Sequence, residues 1–307
     1  MRALPLLLTF VVASCGWNAA GTTACVPTGP ARALPDILRE SSGVAWSRSR
    51  EDILFSHNDG GHPASIYAID FEGALKGEIP LEGVSNRDWE DIATAECDTG
   101  SCIYIADVGD NEEVRNRITL YRVTDPGVYD GTPLPADAFP MVLPDGPRDM
   151  EALFVLPGER VFFVSKGRSD AVTLYRYPPP LRVGEEVVLE AVRTFSDGRL
   201  PIPRQVTGAD ATWDGTVVAI RTYESLTFFS VDGAGSTDGL TTGLTDGLTT
   251  GLSPIPGNRA LLRTIQEAQG EAVGLGPNGE VVLTSEGLMG REASMAMLRC
   301  GALIGGG

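Results

Sequence analysis

A short motif recurs five times along the chain, and each copy begins with an acidic or small residue and continues as an apolar run. The copies occupy residues 42–46, 90–94, 151–155, 209–213 and 271–275. Their first residues are 48, 61, 58 and 62 positions apart. Self-similarity at such a spacing is typical of repeat folds, in which each unit can bury its faces only against its neighbours.

Each copy is followed by further segments rich in Val, Ile, Tyr and Phe and bounded by Gly, Pro, Asn or Asp, as strands are. The second segments are 53–59, 103–107, 161–166, 217–221 and 281–285, and the third are 65–70, 118–123, 172–177, 226–231 and 295–299. Candidate fourth strands follow in four units, for example at 74–81, 186–195 and 259–265. The fifth unit ends at Cys300 without one, so residues 31–38 are predicted to supply it and close the ring.

The repeat therefore predicts an all-β chain that forms a single β-propeller over residues 31–300, with five blades of about four strands. One alternative is a propeller of six blades, because residues 123–149 have room for extra strands. The other is a β-sandwich or two small β domains. The 37 glycines and 21 prolines suit many short strands joined by turns.

Two segments lie outside this pattern. Residues 234–253 are predicted to be a low-complexity loop insertion, because the eight residues 237–244 recur identically at 245–252. Calcium binding by Asp238 and Asp246 is the alternative, and a flexible surface loop is the simpler interpretation. Residues 301–307 are predicted to be a flexible tail.

The five cysteines divide into two pairs and one single residue. Cys97 and Cys102 flank a tight Asp-Thr-Gly-Ser loop, and Cys25 and Cys300 lie near the two ends of the predicted propeller. Disulfides Cys97–Cys102 and Cys25–Cys300 are therefore predicted, and export makes such bonds permissible. Cys15 is left unpaired.

The N-terminus has the pattern of an export signal. Residues 3–12 form an apolar run that is too short to span a bilayer, and Val-Ala-Ser-Cys follows it. This resembles the bacterial lipobox, so residues 1–15 are predicted to be a lipoprotein-type signal peptide, Cys15 the lipidation site and residues 16–30 a linker. Ordinary cleavage near Ala20 or Ala24 is the alternative, and it would release the same propeller into the periplasm or medium.

The formal net charge of −17 restricts the partners. Nucleic acid is excluded, because a duplex partner needs a basic face that displaces its counterions. Contact with a membrane is expected only through the lipid anchor, since acidic surfaces do not bind anionic lipid. The excess of acidic residues either keeps the protein soluble or includes several carboxylates that bind one cation together.

In a propeller, the first strand of each blade lines the central channel. The alignment of the motifs places four acids at one mouth of it, Glu90, Glu151, Asp210 and Glu271, with Glu40, Asp88, Asp91 and Asp149 close behind. Carboxylates that face one cavity repel each other unless they share a cation or a proton. Oxygen-only ligands favour a hard ion, calcium before magnesium, so Ca²⁺ is the predicted cofactor. The alternative is that these acids bond backbone amides where the strands leave the channel.

The ends of the second strands are predicted to cluster on one face and to carry function. Two residues there are catalytic candidates, His57 and Lys166. Six others are candidates for ligand binding: Asn58, Asp59, Asp107, Asp110, Asn111 and Arg221. Ordinary turns would also explain the Asn-Asp and Asp-Asn pairs. No Gly-x-Ser-x-Gly elbow and no phosphate-binding glycine loop is present.

Several strings of the first half are similar to those of a known group. They are Glu-Ser-Ser-Gly-Val-Ala at 40–45, His-Asn-Asp-Gly at 57–60, Asp-Trp-Glu-Asp-Ile-Ala at 88–93, Ala-Asp-Val-Gly-Asp-Asn at 106–111 and Asp-Met-Glu-Ala-Leu at 149–153. The chain resembles uncharacterised secreted bacterial β-propellers related to the SdiA-regulated and esterase-like phytase families. The resemblance covers residues 40–166 and the later units by pattern alone. It implies a propeller and calcium dependence, without implying a reaction.

The sequence thus predicts an exported, envelope-associated propeller that binds a small molecule or an envelope protein, with calcium at the channel. Two alternatives stand beside it. One is a metal-dependent hydrolase of the phosphoesterase, phytase-like or lactonase-like kind, and the other is an interaction module of an envelope complex. With two histidines in the chain and no nucleophile motif, binding is favoured over catalysis.

Overall fold

Five antiparallel sheets form a closed ring in the computed structural model, which describes residues 25–195, 199, 201–202, 204–231 and 251–304. Each innermost strand packs against the innermost strands of two neighbouring sheets, and the fifth sheet packs against the first. The fold is therefore the predicted five-bladed β-propeller, with one blade for each copy of the motif.

The blades are numbered along the chain and share one topology, from the channel outward. The innermost strands are Ser41–Trp46, Trp89–Cys97, Met150–Leu156, Val206–Ala211 and Gln269–Leu275. The second strands are Leu54–Asn58, Gly100–Asp107, Arg160–Ser165, Val217–Thr222 and Glu280–Glu286. The third strands are Ser65–Ile69, Ile118–Thr124, Thr173–Arg176, Ser225–Val231 and Ser294–Cys300. Blades one to four have the fourth strands Leu75–Glu82, Asp137–Val142, Glu190–Thr194 and Leu252–Leu261.

The apolar core lies between the blades. Five separate clusters of buried side chains each join two adjacent blades, and one of them packs Tyr104 and Phe139 of blade two against Leu153 and Phe163 of blade three. Burial of such a side chain contributes about 1.5–3 kcal/mol. Since each cluster needs two sheets, a single blade could not stay folded alone.

The N-terminus closes the ring, although in a different register from the prediction. The outer strand of blade five is Cys25–Pro27, paired with the last strand, and Arg32–Ala33 pairs with the same strand nearer its start. Residues 31–38 supply only part of the closure, because a short 3-10 helix at Asp36–Leu38 ends the extended chain. The propeller thus begins within the predicted linker 16–30.

Both predicted disulfides are present. Cys25 faces Cys300 across the closing strand pair, and Cys97 joins Cys102 across a hairpin of blade two. Disulfides persist in oxidising compartments, so the two bonds indicate an exported protein. Within the described residues, no helix is long and apolar enough to cross a membrane.

Residues 123–149 do not form a sixth blade. Leu134–Pro135 pairs in parallel with the outer edge of blade one before the chain returns as the fourth strand of blade two. In the same way, Val187–Val188 pairs in parallel with the outer edge of blade two. These crossings cover two outer edges and tie neighbouring blades together.

Several predictions fall wholly or partly outside the described residues. Cys15 and the signal peptide 1–15 lie there, as do residues 234–250 of the loop insertion and 305–307 of the tail. The ends of these segments are described: the last strand of blade four begins at Leu252, and Gly301–Ile304 forms a short helix.

Candidate functional site

A β-bulge interrupts the innermost strand of every blade close to its start. The register shifts fall between Ser41 and Gly43, Trp89 and Asp91, Met150 and Ala152, Val206 and Gly208, and Gly270 and Ala272. A bulge leaves one residue unpaired and re-aims its side chain. The five bulged residues surround one mouth of the channel: Ser42, Glu90, Glu151, Thr207 and Glu271.

Two overlapping groups of carboxylates meet at this mouth. One carboxylate oxygen from each of Asp59, Asp88 and Glu90 lies within 4.8 Å of the other two. Glu90, Asp149 and Glu151 form a second group at the same spacing. Glu90 therefore belongs to both, and the acids of each group are close enough to share one cation.

The second group already has a cationic partner. The Lys166 ammonium forms an ion pair with Glu151 and lies 3.9 Å from Asp149, which also pairs with Arg168 at 2.8 Å. Although burial opposes it, the Glu151 charge raises the pKa of Lys166, so the ammonium stays protonated. Lys166, which was predicted to lie among the second-strand ends, thus contacts an acid of the channel mouth.

The first group has no such partner. Among the described residues, Asp59, Asp88 and Glu90 form no ion pair with a lysine or arginine, and Glu90 is only 5% exposed. Burial, followed by the charge of Asp59, raises the pKa of Asp88 to about 6. Burial and the charge of Glu151 raise the pKa of Glu90 well above its usual range. These three carboxylates, of which Glu90 is buried and Asp59 and Asp88 are partly buried, could hold a metal ion.

Two glycines leave the space around this group free. A Cβ atom on Gly109 would overlap Oε1 of Glu90 and lie 2.7 Å from Oδ2 of Asp88. A Cβ atom on Gly60 would lie 2.6 Å from Oδ1 of Asp88. Neither glycine has a positive φ, so the close approach of the carboxylates, rather than the backbone conformation, requires glycine here.

Blade five adds two more acids to the mouth. Gln269 donates from Nε2 to Oε1 of Glu271 at 2.6 Å and to Oε2 of Glu286 at 3.1 Å. Burial, followed by the charge of Glu151, raises the pKa of Glu271 well above its usual range. Burial also raises the pKa of Glu286 to about 7, with Asp59 adding to the effect. Beside these acids, a cavity of about 450 Å³ opens between blades four and five.

Asp210, the fourth predicted metal ligand, does not join the cluster. Its Oδ1 accepts a hydrogen bond from the Ala211 N–H at 2.8 Å, and its Oδ2 accepts one from Leu275 N–H at 2.7 Å. It lies three residues beyond the bulge of blade four, where Thr207 occupies the position that Glu90 and Glu151 occupy in their blades. Asp210 instead ties blade four to blade five, as the alternative interpretation predicted for such acids.

His57, a predicted catalytic residue, is fully buried. Its ring packs edge-on against Trp89, with 5.5 Å between the centroids, and a Cβ atom on Gly43 would overlap its Nε2. Its Nδ1 lies 3.0 Å from the Asn58 carbonyl oxygen. Burial lowers the pKa of His57 to about 4, so the ring is neutral at pH 7. In this packing His57 is out of reach of a substrate at the mouth.

Four of the six predicted ligand-binding residues stabilise the protein internally. Asn58 bonds Glu40 N–H and the Ile37 carbonyl, while Arg221 pairs with Glu267 and donates to the Ala272 carbonyl. Asp107 pairs with the Arg115 guanidinium, and Asp110 accepts from the Arg115 N–H. The other two lie at the mouth, where Asp59 belongs to the first carboxylate group and the exposed Asn111 accepts a hydrogen bond from Arg168.

Sequence reasoning placed Asp88 and Asp149 close behind the predicted metal ligands and not among them, and it left Gly60 and Gly109 out of the site. Asp88 and Asp149 each precede a bulged glutamate by two positions, so the pattern Asp-x-Glu occurs once in blade two and once in blade three. That repeated pattern was the available signal. Gly60 and Gly109 had none, because their role depends on which loops the ring brings together.

Fold and site together define a five-bladed β-propeller with a buried acidic centre at one channel mouth. Similar solved structures include the PQQ-bound aldose sugar dehydrogenase of Streptomyces coelicolor, with 12% identity, a TM-score of 0.49 and coverage of 91% of this chain and 99% of that one. A gluconolactonase of Xanthomonas campestris has 12% identity, a TM-score of 0.42 and coverage of 92% and 98%. A glucose dehydrogenase has 12% identity, a TM-score of 0.47 and coverage of 88% and 99%.

At these identities the similarity concerns the fold alone. No family model matches the sequence, and the comparison with curated proteins finds no match. The propeller implied by the resemblance to the SdiA-regulated and esterase-like phytase groups is confirmed by the sheet topology. Membership of either group stays a prediction.

Proposed function

We propose that this chain is an exported propeller that binds a calcium ion through Asp59, Asp88 and Glu90 and uses this mouth of the channel to bind its ligand. One observation carries the proposal. Three carboxylates, the buried Glu90 and the partly buried Asp59 and Asp88, lie within 4.8 Å of one another, and no lysine or arginine of the described chain pairs with them. Buried charges of one sign need a partner, and a cation supplies it.

The donor atoms favour calcium over other ions. All three are carboxylate oxygens, which suit hard cations and not zinc or copper. They come from three separate places: the end of a strand in blade one, the loop before blade two, and a bulge in blade two. Magnesium demands a near-ideal octahedron, whereas calcium accepts irregular sets of six to eight oxygens.

Calcium titration by isothermal calorimetry after treatment with chelator tests the proposal. We expect binding by the wild type and a loss of affinity of at least tenfold in Glu90→Gln and in Asp88→Asn. Glu190→Gln is the matched control, because Glu190 pairs with Arg176 on the outer strand of blade three. Equal affinity in all four proteins, or no binding by the wild type, would overturn the proposal.

Attachment to the cell envelope is a separate part of the proposal. A lipid on Cys15 would hold the propeller outside the cytoplasm, and the two disulfides support export. Fractionation of cells that express the full chain tests this point. Wild type is expected with the membranes and Cys15→Ala in the soluble fraction, and the same distribution of both would argue against the anchor.

A metal-dependent hydrolase is the second candidate. The observation that favours it is the cavity of about 450 Å³ next to Gln269, which bonds Glu271 and Glu286; the cavity is large enough for a small substrate. A divalent ion would supply Lewis-acid chemistry there, and the charged Lys166 could stabilise negative charge that develops on a substrate oxygen. A calcium-dependent screen of esters, lactones and phosphomonoesters tests this candidate. Loss of hydrolysis in Glu151→Gln would support this candidate. Equal rates in variant and wild type would exclude a role for the Glu151–Lys166 ion pair in hydrolysis.

A further inference from the structure

The cavity between blades four and five lies on the same face of the ring as the carboxylates. Its walls come from the loops that precede the innermost strands and from the loop after the second strand of blade four. The wall residues that matter here are Ile202, Tyr223, Leu262, Ala268 and Gln269. One side of the cavity is therefore apolar. The rest is polar: Gln266 and Gln269 line it together with Arg263, which pairs with Glu224, and Glu267, which pairs with Arg221.

Gln269 separates this cavity from two acids that have no cationic partner. Its amide nitrogen donates both hydrogens, one to Glu271 and one to Glu286. Neither glutamate forms an ion pair within the described residues, and Glu271 is only 4% exposed. A neutral amide thus bridges two carboxylates at a position where an ammonium group would make the same hydrogen bonds and also supply the opposite charge.

Two hydroxyl groups next to these acids add to the case. Thr207 occupies the bulge of blade four, between the bulged glutamates of blades three and five; it is 1% exposed, and its Oγ1 has no hydrogen-bond partner among the described residues. Burial, followed by the charge of Glu271, raises the pKa of Tyr223, so the phenol stays protonated. The Tyr223 ring also offers the cavity an aromatic face, which attracts organic cations.

We propose that this cavity is a second site, which binds a primary organic ammonium ligand. The ammonium group takes the place of the Gln269 amide between Glu271 and Glu286, and the carbon chain lies against Tyr223 and Leu262. An anionic ligand finds no unpaired cation in the lining, because Arg263 pairs with Glu224. A bare metal ion would leave the apolar wall empty. The site does not use Asp59, Asp88 or Glu90, so it does not depend on the proposed calcium ion.

Calorimetry with two probes of equal length separates charge from apolar contact. Hexylamine and 1-hexanol are titrated into the full chain at pH 7.5, once with excess chelator and once with calcium. We expect hexylamine to bind at least tenfold more tightly than 1-hexanol under both conditions. Equal binding of the two probes, or no binding of hexylamine, would overturn the proposal.

Two variants place the ammonium between the named acids. Glu271→Gln should weaken hexylamine binding at least tenfold, and Glu190→Gln on the outer strand should leave it unchanged. Gln269→Lys puts an ammonium of the chain itself into the position of the ligand, so it should abolish binding, whereas Thr194→Lys adds the same charge far from the mouth and should not. Full hexylamine binding by Gln269→Lys, with circular dichroism equal to wild type, would refute the placement. Since the titration in chelator contains no calcium, its outcome is independent of the calcium proposal.

Discussion

Removal of the Cys25–Cys300 bond tests how the ring is closed. The bond joins residues 275 positions apart, and Cys300 is fully buried in the last strand of blade five. In the chain-entropy model, a closed loop of this length lowers the stability of the unfolded state by about 5.6 kcal/mol. The Cys97–Cys102 bond spans five positions, and the same relation gives about 2.2 kcal/mol.

The matched double variants are Cys25→Ala/Cys300→Ala and Cys97→Ala/Cys102→Ala. Urea unfolding followed by circular dichroism should show a free energy of unfolding lowered by about 3 kcal/mol more in the first variant than in the second, from the difference between the two loops. Equal losses in the two variants, or a larger loss in the hairpin variant, would refute the claim that this bond holds the ring closed.

Three further predictions concern the channel mouth. Gly109→Ala should lower calcium affinity at least tenfold, because its Cβ would overlap Glu90 Oε1, whereas Gly29→Ala, with no atom within 4 Å, should not; equal affinity by calorimetry would contradict this. Asp210→Asn should keep calcium affinity but lose about 1–3 kcal/mol of stability, since an amide has one acceptor oxygen for two buried N–H groups; reduced calcium binding would return Asp210 to the site. Burial raises the pKa of Glu286 to about 7, so the buried carboxyl destabilises the folded protein progressively as the pH rises from about 4.5 to about 7. The free energy of unfolding of Glu286→Gln should therefore rise relative to that of wild type from pH 5 to pH 8, measured by urea unfolding with chelator. A difference that stays constant over this range would contradict a raised pKa for Glu286.

The fold could be predicted because each blade repeats the same local pattern. An acidic or small residue followed by an apolar run appears wherever an innermost strand starts, and both sequence-predicted disulfides agree with the closed ring. The closing strand was misplaced because Cys25–Pro27 is short, with one apolar side chain, Val26, that is exposed. Its pairing depends on Cys300 and not on an apolar pattern.

The candidate site could be predicted only in part, because its geometry depends on bulges. Glu90, Glu151 and Glu271 were found since each begins a copy of the motif. In blade four the bulged residue is Thr207, and the pair Ala209-Asp210 imitates the motif three positions later. The motif cannot show this shift, because a bulge is a property of strand pairing. In the same way, Asp59 reaches Glu90 only through contact between two blades.

A crystal structure of the protein grown with calcium tests the central claim most directly. The account predicts one strong anomalous peak at the channel mouth, with carboxylate oxygens of Asp59, Asp88 and Glu90 about 2.3–2.6 Å away. Full-occupancy calcium elsewhere, or a mouth in which these three acids turn to backbone N–H groups with no ion between them, would contradict it.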